Sequence, residues 1–368
     1  MPRVYAVLVV NNGSEWLSEV LDTLDSPQYP NLDLVVVDNG SADDSRNIIA
    51  DRVPDERSIR FRRNVGFGRA VAGALKRGDL EATDYVLLLH DDLVLAPNAL
   101  GRLIEACNQD PSVGIVGPKL REWGPEPIVQ EVGGTIDRFG RAERPVEPGE
   151  LDQGQHDRQR DVLFVSTAGM LIRADMLRAL GGFDTRYPAF RDDLDLCWRA
   201  WLRGHRVQIV PAAVGYHIGA ATRRLRRLGL GRVPRELAER HSVATMMACY
   251  QPLRLLWLMP VVFLLAAIRT IGFVATRRIG DAFAIIRAYA WNLVQLPATL
   301  GRRRAIQRNR TVTDAQIAWL FAPGLPRVVS YGEAVADWVA GGSTKAFLAE
   351  ADEAEPGQQQ TPSFIRTF

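Results

Sequence analysis

The chain has 368 residues, of which 47% are hydrophobic and 24% are charged, and its formal net charge is +2. This composition excludes a disordered chain, and the length allows one large domain or one domain with an appendage. The three cysteines, Cys107, Cys197 and Cys249, are widely spaced and odd in number. They show no disulfide framework and no zinc spacing, which indicates a reducing compartment.

Alternating strands and helices are predicted along the first 120 residues. Apolar runs predict buried strands at residues 4–10, 32–37, 59–62, 86–89 and 113–116. Apolar residues at helical spacing, together with turn and capping residues, predict the intervening helices, for example at residues 15–24 and 97–107. Strands that alternate with helices in this way predict βαβ units and an α/β fold with a mostly parallel central sheet and flanking helices.

Two adjacent carboxylates, Asp91 and Asp92, follow the fourth predicted strand directly after His90. Open α/β sheets bind their ligands at the carboxyl ends of the strands. Neighbouring carboxylates repel each other, and a divalent cation such as Mg²⁺ or Mn²⁺ would stabilise both. The alternative is an acidic turn that caps the next helix, and this stretch alone leaves both interpretations open.

The turn after the second predicted strand is acidic and rich in helix-capping residues, and it begins with Asp38. A carboxylate there can accept a hydrogen bond from the imide N–H of uracil or thymine, whereas it offers nothing complementary to a phosphate. The alternative is an Asx-turn residue. The later pair Gly66 and Gly68 is not a complete dinucleotide-binding motif, because Val71 stands where the third glycine is required.

The middle of the chain combines short β-like stretches with polar segments. Residues 122–148 are rich in Gly, Pro and charge and contain β-like stretches at 128–132 and 135–139, which predicts a hairpin excursion. Residues 151–160 predict a mobile polar segment, and residues 162–172 a strand-like segment around Gly169. A helix then opens with three carboxylates, Asp192, Asp193 and Asp195. Their position suits the helix dipole, but they must point in different directions, so at least one is expected to face away from solvent.

The order of the motifs carries a resemblance to a known family. In chain order they are Asn11-Asn12-Gly13, Val35-Val36-Val37-Asp38-Asn39-Gly40-Ser41, Asn64-Val65-Gly66-Phe67-Gly68, Leu89-His90-Asp91-Asp92, Gly181-Gly182-Phe183-Asp184, Arg191-Asp192-Asp193-Leu194-Asp195-Leu196 and His217. This order resembles the family-two glycosyltransferases of the GT-A fold, of the rhamnosyltransferase and galactofuranosyltransferase type. The resemblance covers approximately residues 4–217.

The resemblance implies an inverting enzyme that uses a nucleotide-diphosphate sugar and a divalent metal, Mn²⁺ or Mg²⁺. It implies that Asp193 is the catalytic base and that Asp92 and His217 bind the metal. His90 stands where relatives often have aspartate, so it is either a further metal ligand or a residue that only packs against the strand end. The residues that the resemblance places at the donor are Asn11, Asp38, Asn64, Asp91 and Gly169.

The last third of the chain is basic and apolar. Residues 255–268 are uncharged, which is short for a membrane span of about 20 residues, although snorkelling of Arg269 extends the run to residue 275. Residues 282–300 are amphipathic. Arginines flank each apolar stretch (Arg254, Arg277, Arg278 and residues 302–304). Such flanking charge favours helices that lie in the cytoplasmic interface over a span, with a membrane hairpin as the alternative.

Three parts are therefore predicted: a GT-A catalytic domain at residues 1–222, membrane-associated helices at residues 223–310, and an extension at residues 311–368 that ends in a disordered tail. The basic cluster at residues 223–227 either lies over the donor diphosphate or faces solvent or lipid. No signal peptide is visible, so the first part is expected to lie in the cytosol.

The predicted function is transfer of a sugar from a UDP- or dTDP-sugar to a hydroxyl group of a membrane-associated, lipid-linked glycan in cell-envelope polysaccharide synthesis. It takes place at the cytoplasmic face of the membrane, without a nucleic-acid partner. One alternative is an inactive nucleotide-sugar-binding scaffold. Another is a sugar-phosphate nucleotidyltransferase, which would need a basic glycine-rich loop after the first strand, where residues 11–15 contain no Arg or Lys.

Overall fold

The structure is a computed structural model that describes residues 1–24, 31–143, 145–221 and 233–322, with the single positions 223, 225 and 230. The tail predicted at the end of the chain lies outside the described residues. So do Arg224, Arg226 and Arg227 of the predicted basic cluster.

Strands and helices alternate through the first third of the chain, as predicted. In chain order they are β1 (Val4–Val10), α1 (Leu17–Leu24), β2 (Leu32–Asn39), α2 (Ser45–Arg52), β3 (Ser58–Phe61), α3 (Phe67–Leu75), β4 (Tyr85–His90), β5 (Leu93–Leu95), α4 (Ala99–Gln109) and β6 (Val113–Glu122). The strands are short and interleaved with helices, which is the arrangement that a parallel sheet requires.

The second part of the chain adds short strands and longer helices. They are β7 (Val129–Glu131), β8 (Thr135–Ile136), β9 (Ala142–Glu143), β10 (Arg160–Asp161), β11 (Leu171–Arg173), α5 (Ala174–Leu180), α6 (Asp192–Leu202), β12 (Arg206–His217), α7 (Pro234–Cys249), α8 (Pro252–Ala275), α9 (Ile279–Val294) and α10 (Leu296–Arg308).

The main sheet has the strand order β10-β12-β6-β11-β4-β1-β2-β3, with β5 added to β12 and β7 added to β6. Strand β1 is buried along its whole length and lies parallel to both β2 and β4. This register pairs Val10 with Asp38 and Val9 with His90. The carboxyl ends of three strands therefore meet at one edge, which is the edge that binds ligands in open α/β sheets.

The middle of the chain departs in part from the sequence predictions. The predicted hairpin is present as the antiparallel pair of β8 and β9, whereas β7 pairs with β6. Of residues 162–172 only the end forms a strand, β11, which runs antiparallel to β4 and β6. The polar segment predicted to be mobile contacts the sheet: the Nζ atom of Lys119 lies 2.8 Å from Asp152 Oδ2, and both side chains are buried. A lysine in a strand cannot be buried without such a partner.

The C-terminal helices pack in the same compact unit as the sheet, which comprises Met1–Ile218 and Leu228–Gly324. Within the described residues, α8 is the helix that is long and apolar enough to cross a membrane. Most of its surface is not buried by the protein. The large apolar side chains that it exposes are Leu253, Leu256, Trp257, Phe263, Leu264, Ile268, Ile271 and Val274.

Several arginines of the C-terminal helices contact protein groups, although Arg287 stays exposed. Arg269 Nη1 donates to Glu239 Oε2 at 3.2 Å, and Arg287 Nε donates to Glu236 Oε2 at 2.9 Å. Arg303 Nη1 donates to the carbonyl oxygens of Met247 and Tyr250 at 2.7 and 2.6 Å, at the end of α7. The snorkelling predicted for Arg269 is therefore absent from this structure, and Arg303 does not serve as a lipid-facing charge.

Candidate active site

Three side chains with metal-ligand chemistry, His90, Asp92 and His217, lie together at the carboxyl edge of the sheet. Strand β12 runs antiparallel to β5 and pairs His217 with Leu93, which brings the histidine beside Asp92. The Nε2 atom of His217 lies 3.3 Å from Asp92 Oδ1. One ligand atom from each of the three residues lies within 4.8 Å of the others.

Gln130 on β7 determines which ring nitrogen of His217 faces Asp92. Its amide nitrogen donates to the His217 carbonyl oxygen at 3.1 Å, and its Oε1 lies 2.7 Å from His217 Nδ1. Because Oε1 can only accept, Nδ1 carries the proton in the neutral ring and Nε2 carries the lone pair. Two atoms with lone pairs, His217 Nε2 and Asp92 Oδ1, then face each other, and a bound cation stabilises that arrangement.

His90 packs against neighbouring side chains and also lies close to Asp92 and His217. Its Nε2 is 3.0 Å from Thr167 Oγ1, and its ring contacts the rings of Phe67 and His217 at centroid distances of 5.1 and 5.6 Å. If Nε2 donates to Thr167, Nδ1 is the ring nitrogen that would bind a metal. Two imidazoles and one carboxylate fit Mn²⁺ better than Mg²⁺, because Mg²⁺ prefers oxygen ligands in an octahedron.

A network of three asparagine side chains joins the ends of the first strands. Asn64 Nδ2 donates to Asn11 Oδ1 at 3.1 Å, and Asn39 Nδ2 donates to Asn64 Oδ1 at 3.0 Å. Asp91, fully buried, accepts a hydrogen bond from the Asn11 backbone at 2.8 Å. A Cβ atom at Gly13 would lie 2.3 Å from the Asp91 carboxylate, so that turn needs glycine. The donor roles of Asn11, Asn64 and Asp91 stay predictions.

Asp38 serves the turn with one carboxylate oxygen and faces two arginines with the other. Its Oδ1 accepts from the Ser41 backbone at 2.8 Å, three residues further along the turn. An Asx turn would use the residue two positions along. The Oδ2 atom of Asp38 is buried and lies 3.6 and 3.7 Å from the Nε atoms of Arg46 and Arg60. Among the described residues, Oδ2 accepts no hydrogen bond. This oxygen is therefore available to an N–H group of a ligand.

A residue with a Cβ atom at the position of Gly169 would strain the backbone and clash with its neighbours. Its φ is +82°, and a Cβ atom there would lie 2.8 Å from Pro118 Cγ and 3.2 Å from Leu95 Cδ2. Its N–H donates to the Leu88 carbonyl oxygen at 3.0 Å, beside the strand that carries His90. The packing explains the glycine, and a donor contact of its own stays a prediction.

The three carboxylates at the start of α6 have different environments. Asp192 and Asp195 are buried, which confirms that at least one faces away from solvent, whereas Asp193 is partly exposed. Burial and the neighbouring Asp193 charge raise the pKa of Asp192 to about 7. Burial opposes ionisation of Asp195 too, but Arg302 and Arg199 outweigh it and lower that pKa to about 2. Asp193 is thus the one of the three that is open to solvent, and its role as the base stays a prediction.

Phe67 connects the metal-ligand group with the loop that leads into α6. Its ring contacts His90, as described, and lies 6.0 Å from the ring of Phe183. Its backbone N–H donates to the Pro188 carbonyl oxygen at 3.0 Å. The loop that leads to Asp192 and Asp193 therefore packs, through Phe67, on the strand end that carries His90.

Some residues of the site carry no separate signal in the sequence. Gln130, Thr167 and Phe67 belong to no acidic or histidine motif, and they reach the site from other strands or loops. Asn39 does carry a signal, because it adjoins Asp38 in a polar turn that follows a buried strand. A search for polar residues at the end of each predicted strand would identify it as a site residue.

The family is established by comparison with known proteins. The model of the family described as glycosyltransferase like family 2 matches residues 2–239. The chain belongs to this family, whose members are glycosyltransferases. The sequence prediction of the family is therefore confirmed.

Two relatives indicate the biological setting of similar proteins. N-acetylglucosaminyl-diphospho-decaprenol L-rhamnosyltransferase of Mycobacterium tuberculosis is 25% identical over 201 residues, which are 50% of this chain and 66% of that protein. O-antigen biosynthesis protein RfbC of Myxococcus xanthus is 27% identical over 232 residues, which are 61% of this chain and 18% of that protein. The match thus spans less than two thirds of either relative.

Among solved structures, the fold is similar to that of GalNAc-T7 with UDP, GalNAc and Mn²⁺, with a TM-score of 0.54. The match covers 68% of this chain and 49% of that chain, at 14% sequence identity. Identity this low shows the fold alone. It confirms the predicted GT-A architecture of the α/β part.

Proposed function

We propose that this protein is an inverting glycosyltransferase that uses a UDP- or dTDP-sugar and Mn²⁺. The observation that carries the proposal is the group formed by His90, Asp92 and His217, at the sheet edge where strand ends also present Asp38. Nucleotide, diphosphate and cation then share one edge of the sheet. The partly exposed Asp193 supplies the remaining chemistry from the start of α6.

The proposed reaction needs one displacement and no covalent intermediate on the enzyme. A sugar hydroxyl is a poor nucleophile, so Asp193 accepts its proton while the oxygen attacks the anomeric carbon from the face opposite the diphosphate. Asp92, His217 and His90 would hold the cation, which neutralises negative charge on the departing diphosphate. A single attack from the opposite face inverts the anomeric configuration.

The base of the donor is proposed to be uracil or thymine. Asp38 Oδ2 offers an acceptor to the imide N–H that both bases share. Arg46 and Arg60 lie beside the same carboxylate. Because the two bases present the same imide edge, this contact accepts a UDP- or a dTDP-sugar.

The acceptor is proposed to be a glycan linked to a membrane lipid. Helices α8 and α9 expose large apolar side chains such as Leu256, Ile271 and Phe283. A surface of this kind is stable against lipid and unfavourable in water. The decaprenol-linked substrate in the name of the mycobacterial relative supports the same class of acceptor. We place the protein at the cytoplasmic face of the membrane, on helices that lie in the interface.

Transfer to a lipid-linked acceptor tests the proposal directly. The full chain is reconstituted in vesicles that contain a polyprenyl-diphosphate glycan, and it is given UDP- and dTDP-sugars one at a time. We expect nucleotide release that requires both the acceptor lipid and Mn²⁺ and stops with a chelator, together with a product of inverted configuration by NMR. Transfer that continues in the chelator, or retention of configuration, would contradict the proposal.

Gln130 is expected to support Mn²⁺ binding through His217. Gln130→Leu keeps the side-chain volume similar but removes both hydrogen bonds to His217, so the ring loses its fixed tautomer and orientation. Loss of a partner of a metal-binding histidine typically weakens metal affinity by about 10–100-fold. The check is Mn²⁺ titration followed by electron paramagnetic resonance. Gln109→Leu is the matched control on exposed α4, and an unchanged affinity in Gln130→Leu would contradict the role.

A further inference from the structure

The backbone in front of α6 adopts a conformation that the surrounding structure must enforce. Phe190 and Arg191 have φ values of +62° and +67°, which residues with a Cβ atom rarely adopt. Such residues persist only where neighbouring contacts hold them. Asp192 and Asp193 follow directly, so whatever holds these two residues also aims the candidate base.

Helix α7 supplies one set of these contacts. His241, which is fully buried, lies with its Nδ1 atom 2.8 Å from the Phe190 carbonyl oxygen. Burial lowers the pKa of His241 to about 4, so the ring is neutral and Nδ1–H donates. The same ring stacks on Tyr187 at a centroid distance of 4.3 Å. Tyr187 OH lies 3.2 Å from Thr245 Oγ1, one helical turn further along α7.

Helix α10 supplies a second set, which consists of charges. Arg302 Nη2 binds Asp195 Oδ2, and Arg302 Nη1 lies 3.2 Å from Asp184 Oδ2. Arg186, which pairs with Asp184 at 2.7 Å, also donates to Thr299 Oγ1 on α10 at 3.1 Å. Helix α10 thus binds both ends of the loop between Asp184 and Asp195.

Asp195 connects these charges to α6, the helix that begins with Asp192 and Asp193. It is fully buried and also binds Arg199, one turn further along α6, through Nη2 at 2.9 Å. Asp195 lies two residues after Asp193, in the same helical turn. A shift of the Asp195 carboxylate therefore moves the backbone that carries Asp193.

We propose that Arg302 is a positioning residue for the candidate base Asp193, which it holds in place through Asp195 and Asp184. The inference rests on the proposed function, because it takes Asp193 as the base. Under this proposal, the geometry of the segment from Asp184 to Asp195 depends on contacts with α10. The C-terminal helices would then support catalysis as well as membrane association. In the sequence, Arg302 looks like one of three equivalent flanking charges.

Arg302→Met tests the inference, because it keeps a long side chain and removes the charge. A misplacement of about 1 Å in a reacting group can lower the rate by about 100-fold. We expect kcat to fall by about 10–100-fold. The KM for the donor and the Kd for nucleotide with Mn²⁺ should stay near wild type, because Asp38, Asp92 and His217 lie on strand ends that Arg302 does not contact. Arg304→Met is the matched control on the same helix, since Arg304 is exposed.

Hydrogen–deuterium exchange gives a second readout that does not use activity. In Arg302→Met, peptides that cover residues 187–196 are expected to exchange faster, while peptides that cover β4 keep their wild-type rate. Arg302→Lys keeps the charge but not the forked geometry, and it should recover part of kcat. If Arg302→Met does not fold, the same kinetic and exchange comparison is made on Arg302→Lys, which is then expected to be slower than wild type.

Two results would overturn the inference. One is wild-type kcat and exchange in the folded variant. The other is a parallel loss of kcat and of nucleotide affinity with exchange raised throughout the chain, which indicates general destabilisation. Failure of the proposed function gives a different result, since the wild-type protein itself then transfers no sugar, whereas failure of the inference leaves wild-type transfer intact.

Discussion

Asp193→Asn is expected to lower kcat by about 10²–10⁴-fold, the usual contribution of a positioned general base. The amide keeps the size of the side chain and its contact with the Leu194 backbone, so the loop should keep its shape. The KM for the donor and the Kd for nucleotide should change little, because the nucleotide binds at the strand ends. Steady-state kinetics with a lipid-linked acceptor, combined with nucleotide titration, measure both quantities.

Asp192→Asn distinguishes the base from its neighbour. Burial and the charge of Asp193 raise the pKa of Asp192 to about 7, so Asp192 is the neutral member of the pair below that pH. A base must be deprotonated, so activity should rise with pH as Asp193 loses its proton. Because Asp192 is already neutral below about pH 7, Asp192→Asn should leave that rise in place and remove only a change of rate near pH 7, while most of the plateau rate remains. A loss of rate in Asp192→Asn equal to that in Asp193→Asn would contradict the assignment.

Asp92→Asn is expected to weaken Mn²⁺ binding by more than the roughly 10–100-fold that an outer partner of a metal site contributes. The change removes the negative charge of Asp92 and leaves two imidazoles beside an amide. Mn²⁺ affinity in the presence of UDP, followed by electron paramagnetic resonance, measures the effect. His156→Gln serves as the control, since His156 contacts Glu150 and belongs to no metal group in the described residues.

The same measurement decides the role of His90. If His90 is a ligand, His90→Gln weakens Mn²⁺ binding in the manner of His217→Gln. If His90 only packs between Phe67 and Thr167, its substitution leaves Mn²⁺ affinity near wild type and lowers thermal stability instead. An unchanged affinity in Asp92→Asn and His217→Gln together would contradict the metal site as a whole.

The parallel core of the fold was predictable because its strands are buried on both faces. A run such as residues 4–10 contains no polar residue, and a long apolar run between turn signals permits few alternatives. The antiparallel β11 and the strand partners within the predicted hairpin segment were not predictable, because two or three residues carry too little pattern. Their pairing is decided by tertiary contacts such as the buried pair of Lys119 and Asp152.

Within the site, the residues recognised in the sequence are those with distinctive chemistry next to a strand end. Asp92 and Asp193 carry charges that need an explanation wherever they are buried or clustered. Gln130 and Arg302 act across long separations, since Gln130 lies 87 residues from His217 and Arg302 lies 107 residues from Asp195. Neither contact has a periodicity that a sequence can show.

The environments of the arginines in the C-terminal helices were also not predictable from the sequence. A flanking arginine has the same appearance in a sequence whether it faces lipid headgroups or a buried carboxylate. Arg302 and Arg303 bind protein groups, whereas Arg304, the next residue, is exposed. The three arginines differ in which face of α10 they occupy relative to α6 and α7. That orientation depends on how the helices pack.

The most direct test of the central claim is calorimetric titration of the full chain with UDP and with dTDP, each with Mn²⁺ and with a chelator. We predict binding of at least one nucleotide that requires Mn²⁺, that disappears in Asp92→Asn and that weakens in Asp38→Asn. Absence of binding to both nucleotides with Mn²⁺, or equal binding in the chelator, would contradict a metal-dependent nucleotide-sugar site and would favour a scaffold with altered chemistry at His90.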